Sequence, residues 1–252
     1  TLTGDITQDL MLIDNVIGVG EIAIADHRGS QLTSDELARV ASQSRVGGML
    51  SGKAGIVFVH VGDGPSGLGL LYEVAKNSDI PLTQFYPTHI NRSQALLEQG
   101  VAFAKAGGVI DFTTSTNAHF LDEGEVSIVD AVQFALSQQL PLSQISLSSD
   151  GNASLPVFND RGDCVGVEVG QVGSLFEAFT ALLASGLALE QVLPMVTSNA
   201  AGALKLRRKG GIGVDKDADF VLLDEQMHID KVWSKGRLLV DGGKPLCKGT
   251  FE

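Results

Sequence analysis

Ile56–Val61 reads IVFVHV, a run of apolar and mostly β-branched residues interrupted once, by His60. The run is too short for a buried helix and too continuous for a strand with one face in water. It reads as a strand buried on both faces. Gly62-Asp63-Gly64-Pro65 stops it, and residues 68–76 are predicted helical. Upstream, residues 16–25 (VIGVGEIAIA) form a second such strand. Thr33-Ser34-Asp35-Glu36 then offers a helix cap before the periodic Leu37, Val40 and Ala41. Downstream the rhythm continues with a less apolar strand over 81–89 and a helix over 93–106 stopped by Gly107-Gly108. A strand over 109–113 follows, then a helix over 125–138 with Val126, Val129, Val132 and Phe134. A short strand over 144–147 ends at Ser148-Ser149-Asp150. Five such strands alternating with helices predict an α/β fold with a parallel sheet covered on both faces. An open doubly wound sheet and part of a (β/α)8 barrel both satisfy this pattern.

Past Asp150 the pattern changes. Asn159-Asp160-Arg161-Gly162-Asp163, between β-prone segments over 157–169, predicts a hairpin-like loop over the strand ends. Helices are expected at 175–185 and 189–206, and short strands at 219–223, 228–233 and 238–240. The boundary is expected near 207–211, giving units 1–206 and 207–252. The second unit is too short for a core of its own and is expected to pack on something else.

The 252 residues carry 18 basic and 30 acidic side chains, a net charge of −12. With 44% hydrophobic and 19% charged residues, the composition excludes a disordered, collagen-like or coiled-coil chain. An acidic surface repels phosphate backbones, so no nucleic-acid partner is expected. Cys164 and Cys247 form no CxxC and no disulfide framework, which suits the reducing cytoplasm. No apolar run is long enough for a membrane span, and no signal-peptide pattern is visible. The first residue is Thr1 rather than methionine, so a preceding segment is expected.

Ligands of parallel α/β sheets bind beyond the carboxyl ends of the strands. Four of the five strands carry a strong acid or metal ligand. Glu21 lies within the first, His60 near the end of the second, His89 at the end of the third and Asp150 at the end of the fifth. Such groups must be paired, hydrogen-bonded or metal-bound. A single histidine ending a strand is more often structural. Two histidines and two carboxylates on one rim form a ligand set for zinc or a similar divalent ion. Glu21 also has a structural alternative, as partner of His27 or Arg28, and Asp150-Gly151-Asn152 reads equally as a plain turn. His119 and His228 stand in polar context and are expected at the surface. Gly18–Gly20 does not extend to GxGxxG, Gly52-Lys53 does not fit a P-loop, and Ser149 lacks the nucleophile-elbow pattern.

Several segments together resemble the isoaspartyl (β-aspartyl) dipeptidases of the amidohydrolase superfamily. They are 16–28 with its Asp-His-Arg, Ser44-Arg45-Val46-Gly47-Gly48, Val59-His60-Val61-Gly62-Asp63, Pro87-Thr88-His89-Ile90-Asn91-Arg92, 147–152 and the closing Gly249-Thr250-Phe251-Glu252. The resemblance runs through the whole chain. It implies a (β/α)8 barrel of the TIM type beside a small β-sandwich, with the five strands here as strands four to eight. Residues 1–206 are then the C-terminal part of the barrel and 207–252 part of the sandwich.

The resemblance implies a site with two divalent metal ions, zinc expected. His60 and His89 match ligands of one metal. Asp150 matches a ligand of the other and the general base that later protonates the leaving amine. Arg28 and Arg92 match arginines that hold substrate carboxylates, and Ser154 a serine that touches the substrate. The implied reaction is hydrolysis of a β-aspartyl dipeptide by a metal-bridging hydroxide. Residues 154–173 are expected to cover the site, and a homo-oligomer is implied.

Two departures stand out. Glu21 occupies the position of the family's metal-bridging carboxylated lysine, and a glutamate can bridge two cations directly. The segment before it is one residue longer at Gly20, which predicts a bulge that moves the carboxylate inward. The family's His-x-His pair is absent. It is expected, with the first three strands, a glutamate for the substrate amino group and a tyrosine near the scissile carbonyl, on the preceding segment. Other readings of the same residues are a dihydroorotase-, hydantoinase- or D-aminoacylase-like hydrolase, and an inactive homologue that binds a ligand.

Overall fold

A computed structural model describes residues 1–26, 29, 31–159, 161 and 163–247. The chain divides into two compact units, Thr1–Lys205 and Leu206–Glu252.

The first unit begins with α1 (Ile6–Leu12), β1 (Gly18–Ile24), α2 (Ser34–Ser51), β2 (Ile56–Val61), α3 (Gly69–Asn77) and β3 (Phe85–Thr88). It continues with α4 (Gln94–Lys105), β4 (Ile110–Thr113), α5 (Ala118–Asp122), α6 (Ile128–Ser137) and β5 (Ile145–Ser148). A hairpin of β6 (Ser154–Phe158) and β7 (Cys164–Val169) follows, then α7 (Ser174–Ala184), α8 (Leu189–Val192) and α9 (Ser198–Ala203).

β1, β2 and β3 are parallel in that order, and β4 pairs parallel with β5. A backbone bond from Ile90 to the Asp111 carbonyl (3.1 Å) joins the end of β3 to β4. Burial alternates along β2. Val57, Val59 and Val61 are fully buried in the core with Leu37 of α2 and Leu71 of α3. Phe58 and His60 therefore occupy the opposite face of the strand.

Several helices start where side-chain oxygens cap them. Thr33 and Glu36 exchange bonds in a capping box at the head of α2, and Ser93 and Ser127 cap α4 and α6. Capping at Ser127 also explains why α6 starts later than the predicted residue 125. The helices α1 and α5 go beyond the sequence reading, and elsewhere the elements differ from it in kind. The 81–89 segment opens with a 3-10 turn, Leu82–Gln84, before β3. The single helix expected over 189–206 is three pieces, because Pro194 brings a 3-10 turn (Leu193–Val196) and Thr197 leaves helical geometry.

The second unit is an antiparallel sheet of β8 (Phe220–Leu223), β9 (Ile229–Ser234), β10 (Arg237–Asp241) and β11 (Lys244–Pro245), in the order β11-β10-β9-β8. Phe220 lies against Trp233, and Lys209 pairs with Asp217 and Asp219. Among the described residues, no helix is long and apolar enough to cross a membrane.

Candidate metal centre

Glu21 is delivered by a bulge. Between Val19↔Val57 and Ile22↔Val59, Gly20 and Glu21 together oppose the single residue Phe58. A Cβ on Gly20 would lie 2.7 Å from that of Phe58, so only glycine permits the approach. His60 comes from the face of β2 opposite the helices, and His89 from the residue after β3. His89 and Asp150 have left-handed backbones (φ 64° and 50°), as does Ala25 after β1 (φ 51°). Non-glycine residues are uncommon in that region, and strain of this kind clusters at functional sites.

These three side chains converge. His60 Nδ1 lies 3.3 Å from Glu21 Oε2, and His89 Nε2 3.9 Å from Glu21 Oε1. The two imidazoles meet edge to face with centroids 4.6 Å apart. One potential ligand atom from each of Glu21, His60 and His89 lies within 4.8 Å of the others, which makes the cluster able to hold a metal ion.

His89 is prepared for that task. Its Nδ1 meets the Thr113 hydroxyl, while its buried Nε2 has no hydrogen-bond partner among the described residues. Burial, with Arg92 and His60 adding to it, holds the ring neutral, well below the ordinary imidazole range. A buried ring nitrogen left without a hydrogen bond beside a carboxylate and a second imidazole is what a divalent cation would satisfy.

Arg92 lies beside the cluster. Its Nη1 donates to the Val61 carbonyl (3.1 Å) and lies 3.2 Å from His60 Nε2. Burial lowers its pKa, against the pull of Glu125, Asp150, Asp63 and Asp26. Asp150 is not one of the three clustered ligands. Its carboxyl is nonetheless in their field, raised by burial and Glu21 and held down by Arg92 and His60. Ser154 stands exposed at the start of β6. The hairpin it opens is tied to the Asp150 turn, for Asn152 bonds to the Gly170 carbonyl (2.8 Å) and Gly170 to that of Ala153 (2.9 Å). Arg28, the neighbouring His27 and the closing 249–252 run lie outside the described residues. His119 and His228 are at the surface, with side chains 48% and 77% exposed.

Some polar neighbours of the cluster escaped the sequence reading. Asp26, its side chain 2% exposed, places Oδ2 3.2 Å from His60 Nε2. Asn91, after β3, donates to the carbonyls of Thr113 in β4 (3.1 Å) and of Val126 just before α6 (3.2 Å). Buried Asp111 accepts bonds from Thr88, Ser146 and Ser148, tying β3, β4 and β5 together. Asp111 had a signal available, since it is the one charged residue of the four in β4.

The model of the amidohydrolase family matches residues 10–239. The chain belongs to the amidohydrolase family. Its fold is the TIM-barrel type of the amidohydrolases. A β-aspartyl dipeptidase from Fervidobacterium islandicum AW-1, solved in complex with β-Asp-Leu, is 45% identical with a TM-score of 0.89. The match covers 99% of this chain and 65% of that one. A second structure of a β-aspartyl dipeptidase from that organism is 42% identical (TM-score 0.84, 99% and 63% covered). This amidohydrolase chain thus spans just under two thirds of the length of those dipeptidase chains. A zinc complex of the atrazine chlorohydrolase TrzN from Arthrobacter aurescens TC1 shares the fold at 13% identity (TM-score 0.54, 88% and 51% covered).

Proposed function

We propose that the full-length protein hydrolyses β-aspartyl dipeptides at a site of two divalent ions, zinc by its mixed imidazole and carboxylate ligands. The observation that carries this reading is the Glu21–His60–His89 cluster, with the buried His89 Nε2 that has no hydrogen-bond partner among the described residues. The 45% identity to a dipeptidase that binds β-Asp-Leu directs the substrate assignment. In this reading β1 to β5 are strands four to eight of the barrel, Thr1–Lys205 belongs to the barrel, and the second unit belongs to a small β-sandwich. A cytoplasmic homo-oligomer completes it.

Glu21, His60 and His89 would hold a divalent ion, and Asp150 would serve a second. Metal bound there supplies a hydrolytic nucleophile near neutral pH and draws charge from the scissile carbonyl. Asp150 takes the proton released from the attacking water and returns it to the leaving amine. Arg92, and Arg28 by its place in the sequence, anchor the substrate carboxylates through charge-assisted bonds. Ser154 touches the substrate from β6.

The test is release of leucine from β-Asp-Leu by the full-length protein. Wild type is expected to be active, and Asp150→Ala to lose at least a thousandfold in kcat. Glu21→Ala is expected to lose metal as well as activity. Cleavage of an N-acyl amino acid or a cyclic amide in place of β-Asp-Leu would transfer the site to another amidohydrolase reaction. Less than about one metal ion per chain in zinc-replete protein would end the reading.

A further inference from the structure

We propose that Asp26 is the positioning residue of His60. Its carboxylate holds the ring's Nε2–H, so that Nδ1 presents a lone pair to the cation shared with Glu21 and His89. This rests on the metal reading above.

The two nitrogens of His60 face different surroundings. Nδ1 looks into the cluster, 3.3 Å from Glu21 Oε2. Among the described residues, Nε2 lies 3.2 Å from both Asp26 Oδ2 and Arg92 Nη1. An imidazole that binds a cation is neutral and carries one N–H. If that hydrogen sits on Nδ1, the ring donates to Glu21 and accepts from Arg92, and no lone pair faces the cluster. If it sits on Nε2, the ring donates to Asp26 and Nδ1 becomes a ligand. Asp26 and Arg92 thus compete for one atom and select opposite tautomers. Only Asp26 selects the one that binds metal. The same choice removes His60 as an acceptor for Arg92, leaving that guanidinium with the Val61 carbonyl and free to turn to a substrate carboxylate.

The backbone around Asp26 is built to hold it. Gly62 and Gly64 donate to the carbonyls of Ile24 (2.9 Å) and Ala25 (2.7 Å). A Cβ on Gly62 would lie 2.4 Å from the Ala25 oxygen and 2.7 Å from Asp26 Cα, and one on Gly64 2.5 Å from the Ala25 oxygen. The Gly62-Asp63-Gly64 loop therefore lies flat against the corner that carries Asp26. The Gln31 side chain holds that corner from another side, accepting from the Ala25 N–H at 2.7 Å.

The experiment measures zinc affinity of the full-length protein by competition with a chelator, with the melting temperature of the metal-free form as the control for folding. Asp26→Ala and the near-isosteric Asp26→Leu remove the acceptor and are expected to weaken zinc binding ten- to a hundredfold. Asp26→Asn keeps an oxygen that accepts Nε2–H and is expected to stay within about threefold of wild type. Should one acceptor-free variant fail to fold, the other carries the test. The proposal is overturned if a folded acceptor-free variant binds zinc as tightly as wild type, or if Asp26→Asn is as weak as Asp26→Ala. Wild-type protein that binds no zinc overturns the metal reading itself, a result distinct from either.

Discussion

Asp111 is a buried carboxylate whose energetics are set by opposing forces. Burial pushes its pKa from 3.8 up to about 6, while the hydroxyls of Ser146, Ser148 and Thr88 pull it down. The folded state therefore holds the proton more tightly than the unfolded chain does. Stability from this residue is fully present below pH 4 and is lost as pH rises through 6, by about 3 kcal/mol in total. Asp111→Asn removes this slope. Denaturant unfolding of the metal-free protein should show the variant gaining on wild type by that amount between pH 4 and 7. A constant difference across the range would refute the assignment. Thr113 is the corresponding test at the ligand. Thr113→Val leaves the buried Nδ1 of His89 without its partner. It is expected to cost about 1–3 kcal/mol in stability and roughly tenfold or more in zinc affinity, read by chelator competition. Glu21, His60 and His89, which meet in the cluster, were legible because charge or imidazole in an apolar strand demands a partner. Asp26 and Thr113 were not, because a polar residue at a strand end is ordinary until its neighbour is known.

Among the elements, the bulge in β1 fulfils the expectation drawn from the extra residue at Gly20. Gly20→Ala presses a methyl against the Cβ and carbonyl of Phe58. The variant should lose about 1–3 kcal/mol and bind metal more weakly, because Glu21 shares the bulge. Equal zinc affinity and stability would contradict this account. Thr33→Ala tests the other kind of determinant. It removes the cap of α2 and no candidate ligand, and should lower stability by about 1 kcal/mol with zinc affinity unchanged. Strands β1 and β2, and the starts of α2 and α4, were readable from apolar runs and caps. The 3-10 turns ahead of β3 and β5 were not. Each follows the same short motif, Pro81-Leu82-Thr83-Gln84 and Pro141-Leu142-Ser143-Gln144. In both, the glutamine amide reaches back to carbonyls of the segment before, Gly55 for Gln84 and Ala104 for Gln144. Periodicity cannot register such a tie, since it resides in a single side chain.

At the scale of the molecule, the alternation of strand and helix carried the fold class, and the hairpin after Asp150 followed from its turn residues. The break at Pro194 was missed because apolar spacing continues through it while the backbone does not. Bound metal would join segments as distant as Glu21 and His89, and would stabilise them by mass action, about 2.7 kcal/mol at a hundredfold excess over Kd. Stripping the full-length protein with a chelator should lower its melting temperature by several degrees, and added zinc should restore it. No change on stripping would separate the cluster from any structural metal. The left-handed corners at Ala25, His89 and Asp150 also limit how the site can vary. Asparagine, aspartate, histidine and glycine tolerate such a backbone, and valine or isoleucine does not. The alphabet open to mutation at His89 and Asp150 is thus already narrowed by the main chain, before chemistry imposes its own selection.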